Sequence, residues 1–137
     1  MFEAFCREKL GPLALRLALG LVCAYHGFIK IMAAGGTTWY PSLPTGWQVL
    51  IAWGEFCAGV AILVGFRCRW AAAAVLALTG GTWVWFHGWN LLQLPVKTLE
   101  PALMSLLTGL ALLFLGAGEL SVDARAGGST VRVAKRK

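Results

Sequence analysis

Four apolar stretches, at about 11–34, 46–65, 70–90 and 99–118, take up most of the sequence, each close to the ~20 residues that a helix needs to cross a bilayer. Hydrocarbon offers the backbone no hydrogen-bond partners, so such a segment satisfies its own N–H and C=O groups by becoming a helix. The pieces between are punctuated as loops, "GGTTWYPSLPT" (35–45) by Gly, Pro and Thr and "NLLQLPVKT" (90–98) by its proline. "FRCR" (66–69) is so short that the second and third spans run antiparallel as a hairpin. The expected fold is all-α, an integral membrane four-helix bundle over residues 1–123, followed by a basic, flexible cytoplasmic tail over 124–137.

Composition excludes a soluble alternative. Hydrophobic residues make up 58% of the chain and charged residues 13%, with mean hydropathy +0.71; soluble domains are roughly half apolar and about a quarter charged. The net charge of +6 does not indicate nucleic acid, because Arg125, Arg132, Lys135, Arg136 and Lys137 supply +5 of it behind the last span. A basic tail beside a span is a topology signal and a contact for anionic lipid headgroups. Arg7, Lys9, Arg67 and Arg69 fall on the same side as the tail, which puts both termini in the cytoplasm. Trp39, Trp47, Trp83, Trp85 and Trp89 on the outer side and Trp70 on the inner side mark the two interfaces. A cleaved signal peptide is excluded: Arg16 interrupts its apolar core, and its removal would split the basic segments between the two sides.

Cys6, Cys23, Cys57 and Cys68 have no C-x-x-C spacing and no histidine at ligand spacing, so neither a disulfide nor a metal site is assigned. Cys23 and Cys57 read as small hydrophobes within apolar runs. Gly54, Ala58, Ala61 and Gly65 recur at helical spacing in the second span and form a stripe that admits a second backbone.

Charges inside the spans are the candidates for function, because each costs several kcal/mol unless it snorkels, pairs or faces water. At ~1.5 Å per residue, Lys30 and His87 lie near the outer ends of spans one and three, and Glu100 opens span four at that end. His26 is one turn deeper than Lys30, and the two share a helix face as i and i+4. Glu55, the only acid in a span interior, reaches the depth of His26, and Arg16 lies nearer the cytoplasmic end. A polar cluster inside the bundle, open to the outer face, is therefore expected from His26, Lys30, Glu55, His87 and Glu100, with Arg16 extending towards it from below. Plainer readings stand beside it: Lys30 and Arg16 snorkelling to headgroups, Glu100 capping a helix start, His87 resting at the interface. Glu55 has no such reading, since a mid-span glutamate cannot reach water. Haem ligation by His26 and His87 fails on geometry, because their depths differ by about one turn.

In this order and spacing the segments resemble the DoxX family of small four-span membrane proteins. "LALRLALGLVCAYHGFIKI" is similar to the family's first span, "WGEFCAGVAILVGFRCRWAA" to its second, the His87 region to its third and "EPALMSLLTGLALLFLGAGELSVD" to its fourth. The resemblance implies a multi-pass protein of the bacterial inner (plasma) membrane, associated with membrane oxidoreductases and with quinone chemistry. It carries the family's polar residues onto Arg16, His26, Lys30 and Glu55, and less directly onto His87 and Glu100. No haem, flavin, iron–sulfur or dithiol signature is present in the sequence, so redox catalysis by this chain alone is not expected, and no covalently bound cofactor is assigned. Three functions follow: a subunit of a larger membrane complex that binds a quinone headgroup, with Lys30 or His26 donating and Glu55 relaying protons; a structural or assembly subunit without a ligand; and a pathway for protons or small solutes. The expected partners are the lipid bilayer, other membrane subunits and a quinone, with no nucleic acid.

Overall fold

The computed structural model describes residues 9–88 and 96–126, with Ala34, His87 and residues 96–98 described by backbone alone. Readings made on Cys6, Arg7, Trp89, the loop from 90 to 95, the His87 and Lys97 side chains and the tail beyond Ala126 lie outside the described side chains. The described chain is all-helical: α1 (Gly11–Met32), a 3₁₀ turn (Ala34–Gly36), α2 (Thr45–Val64), α3 (Cys68–His87), α4 (Val96–Leu115) and a short α5 (Val122–Ala126). Each long helix falls within three residues of the expected boundaries at both ends. Two differences are local. Cys68 and Arg69, expected in the turn, begin α3, and Ala124–Ala126, expected in the tail, belong to α5.

Local chemistry sets these ends. Pro12 sits in the first turn of α1, where its missing N–H costs nothing. Pro44 precedes α2, and Gly65 ends it in the left-handed conformation, φ 72°. There Phe66 N–H donates to Ala61 O and Gly65 N–H to Ile62 O, the paired closure of a Schellman turn.

The long helices pack in chain order, α1 on α2, α2 on α3 and α3 on α4, and α1 also meets α4. The α1–α2 contact is the most extensive, and glycine makes it so. A Cβ on Gly27 would fall 2.7 Å from Phe56 Cα, and one on Gly59 would fall 2.9 Å from Ala24 Cα. Backbone therefore lies on backbone, as in the small-residue contacts of membrane helices. The buried core around it is made of Leu19, Cys23, Ile62, Ala72, Val75 and Leu112.

Large apolar side chains also cover the outside, among them Leu21, Phe28, Met104, Leu107 and Phe114. A surface of this kind belongs against lipid. Two helices, α1 and α2, are long and apolar enough to cross a membrane by length and composition, and Leu99–Leu115 within α4 is a shorter apolar helix. Helix α3 has the length but not the hydropathy, being diluted by Thr79, Gly80, Gly81, Thr82 and the polar edges of its tryptophans.

Gly59→Val is expected to lower stability by about 2 kcal/mol or more, since rigid backbone cannot yield to the added atoms. Gly80→Ala, where a Cβ meets nothing within 4 Å, is expected to be neutral or stabilising by up to about 1 kcal/mol. Thermal unfolding of both variants in the same detergent checks the contrast.

Candidate functional site

Besides Leu19, the inner face of α1 carries five residues in line, with Arg16, Gly20, Cys23 and Gly27 buried and Lys30 half-buried above them. Two of the five are cations about 21 Å apart along the axis. They meet different partners.

At the upper end Lys30 Nζ donates to Glu55 Oε2 in a hydrogen-bonded ion pair. The Glu55 side chain is 11% exposed and that of Lys30 is 23% exposed, so the pair opens on the lysine's side. The ammonium also lies 4.7 Å from the centre of the Trp39 ring, a cation–π contact. Trp39 is fixed in turn: its Nε1 donates to Gln48 O at 3.1 Å, and its ring meets Phe86 edge-on at 6.3 Å. Gln48, 2% exposed, organises the loop that carries the indole. Its Nε2 donates to Leu43 O at 2.7 Å, and its Oε1 accepts from Tyr40 N at 3.1 Å. Tyr40 then stacks on Phe86 with centroids 4.2 Å apart. The loop "TTWYPSLP" thus folds over the ion pair as an aromatic roof joined to α2 and α3.

At the lower end Arg16, 2% exposed, neither snorkels nor reaches Glu55. Its Nε donates to Ile62 O at 3.0 Å and its Nη2 to Leu63 O at 2.6 Å, both at the C-terminal end of α2. Its Nη1 donates to Ala117 O at 3.2 Å and Leu120 O at 2.6 Å, in the segment after α4. The guanidinium sits at the negative pole of α2, where it takes Leu63 O and adds a second donor to Ile62 O, which already accepts Gly65 N–H. Asp123 completes this end, accepting Arg67 N at 2.6 Å and Cys68 N at 2.9 Å at the start of α3. Asp123 N–H returns to Gly65 O. Gly65 has no room for a side chain, since a Cβ would lie 2.7 Å from Arg16 Cζ.

The expected cluster is thus divided. Lys30 and Glu55 come together, and Arg16 belongs to a separate structural joint. His26 is exposed and lies beside Tyr25, ring centres 6.2 Å apart, on the flank of α1 next to buried Gly27. Glu100 is exposed; α4 starts four residues earlier, at Val96, so Glu100 caps no helix start. The side chain of His87 lies outside the description. Trp39, Gln48 and Asp123 were not among the sequence candidates. A glutamine inside an apolar run was the available signal for Gln48; nothing local marks the other two.

A hydrophobic groove of about 240 Å³ runs between α2 and α3, lined by Trp47, Leu50, Ile51, Leu78, Trp85 and Phe86. It shares Phe86 with the aromatic roof. The pair and groove together offer one ammonium, one carboxylate, an indole face and an apolar trough.

Among known proteins, the sequence profile of the DoxX family matches residues 11–88, which takes in α1, α2 and α3 and every residue of the Lys30–Glu55 assembly. No curated protein matches, and no solved structure matches.

Arg16→Met leaves carbonyls of two segments without donors and is expected to cost about 3 kcal/mol or more. Arg16→Lys is expected to recover only part, since an ammonium lacks the planar fork that serves both segments. Chemical unfolding in detergent micelles measures both.

Proposed function

The chain belongs to the DoxX family of membrane proteins, and from that premise we propose that it is a multi-pass, redox-associated subunit of the bacterial inner membrane that holds a quinone headgroup at Lys30 and Glu55. The four long helices form the spans, with both termini cytoplasmic. The observation that carries this orientation is the gathering of Lys9, Arg67 and Arg69 at one end, with Lys9 paired to Glu119 at 3.1 Å and the Arg67 amide held by Asp123.

What carries the ligand reading is the fixed, partly open ammonium under the indole. An ammonium has three donors, and Glu55 takes one. A quinone carbonyl is an acceptor without charge, soluble in the bilayer, and matches a donor held in its outer half. The Trp39 face suits a flat ring, and the neighbouring groove suits an isoprenoid tail. Glu55, hydrogen-bonded to the same ammonium, is positioned to take or return a proton as the ring oxygens change state. Electrons come from a partner in the complex.

A purely structural role is the second reading. Among the described residues no buried side-chain nitrogen or oxygen lacks a hydrogen-bond partner, so the charges do not require a ligand. The third reading, a proton or solute pathway, finds no support, because Leu19, Gly20, Cys23 and Gly27 fill the interior between the two charged ends.

The double variant Lys30→Met/Glu55→Gln separates the first two. Removing both charges avoids leaving one buried and unpaired, which would cost about 3–5 kcal/mol. The wild-type protein, purified in mild detergent, is expected to carry extractable quinone, and the double variant at least tenfold less at an unchanged melting temperature. Absence of quinone from both, with co-purifying subunits intact, would leave the structural role.

A further inference from the structure

The end of the molecule opposite the ion pair holds a second concavity, of about 470 Å³, between the α2–α3 turn and the segment after α4. Arg67, Arg69, Trp70, Gly116, Ser121 and Asp123 line it. Arg69 lies across Gly116 and donates from Nη2 to Phe114 O at 3.0 Å. That uses one of the five N–H groups a guanidinium carries. Among the described residues, no carboxylate pairs with the guanidinium of Arg67 or Arg69. The acid that lines the cavity, Asp123, has each oxygen occupied by a backbone N–H, from Arg67 and from Cys68. It holds the turn and leaves the cavity's balance positive.

Trp70 brings an apolar wall to it and is 75% exposed, while Phe66, next to Arg67 in the chain, and Phe114, whose carbonyl takes Arg69, are 52% and 72% exposed. A cleft with two guanidinium groups that no carboxylate pairs, one of them keeping four N–H groups beyond its bond to Phe114 O, and with an exposed indole in its wall suits a ligand that is anionic at one end and greasy at the other. We infer that this cleft binds the phosphodiester headgroup of an anionic phospholipid, with Arg67 and Arg69 on the phosphate oxygens and Trp70 at the level of the glycerol esters. The inference uses the membrane-embedded, positive-inside placement proposed above and is independent of the quinone. Inorganic phosphate presents the same oxygens without the acyl chains, so the two sources can be told apart.

The test is retention of lipid by the full-length protein in detergent, read by native mass spectrometry after titration with phosphatidylglycerol or phosphatidylcholine. Phosphatidylglycerol is expected to be retained at least fivefold better. Arg67→Gln is expected to weaken it about fivefold, the value of one interfacial cation. Arg67→Lys is expected to restore most of it, and neutralising the tail (R132Q/K135Q/R136Q/K137Q) to leave it unchanged. Equal retention of both lipids, indifference to Arg67→Gln, no advantage of Arg67→Lys over Arg67→Gln, or loss on tail neutralisation would each overturn the site. Displacement by millimolar inorganic phosphate would show a soluble-anion site and overturn the lipid. Alkaline carbonate wash reports embedding alone: release of the chain would overturn premise and proposal together, whereas a chain that stays in the membrane yet ignores Arg67→Gln overturns the site.

Discussion

The arrangement of the helices rests on the guanidinium of Arg16 and the four carbonyls it gathers. Helix ends leave their last carbonyls without partners, and in hydrocarbon no water replaces them. Here one side chain from α1 supplies donors to the end of α2 and to the chain leaving α4. Three segments distant in sequence are fixed at one point. Asp123 does the reciprocal work for amides, taking the N–H groups that begin α3. A buried arginine and a capping aspartate thus complement the opposite poles of consecutive helices, and the tight turn between α2 and α3 is the place where both can act.

From that joint the α1–α2 pair extends upward by close backbone packing through Gly59 and Gly27, and it ends at Lys30 and Glu55. The two charged ends are built differently. Arg16 is enclosed and spread over four neutral acceptors, a geometry suited to permanence. Lys30 is held by one carboxylate and one ring, and part of it remains open. A point charge on a flexible stem can exchange partners at small cost, whereas a guanidinium engaged on two segments cannot.

Much of this was legible in the sequence because hydropathy acts over whole segments. The four helix positions, the short turn and the link between Lys30 and Glu55 follow from apolar run length and from a mid-span acid's need for a counter-charge. The fate of His26 was not legible by the same means. Sharing a face with Lys30 as i and i+4 still leaves a residue at the margin of the buried face, where exposure depends on how α2 lies against α1. Arg16 misled for another reason: depth alone suggests headgroups, but carbonyls at a helix end are acceptors that no residue type announces. Trp39 shows the limit most clearly. Its place in a loop at a helix end was readable, whereas its seat over Lys30 depends on Gln48 folding the loop back, a contact between backbone and amide that has no periodic signature.

The roof also explains how a charged pair is tolerable between two apolar helices. An indole presents apolar area outward and a negative π face inward, so it shields Lys30 from hydrocarbon while stabilising its charge. Glu55 then faces an ammonium whose position is set from two sides. One loop covers the pair. The loop's anchors, Gln48 and the Tyr40–Phe86 stack, belong to α2 and α3, the helices that line the apolar groove.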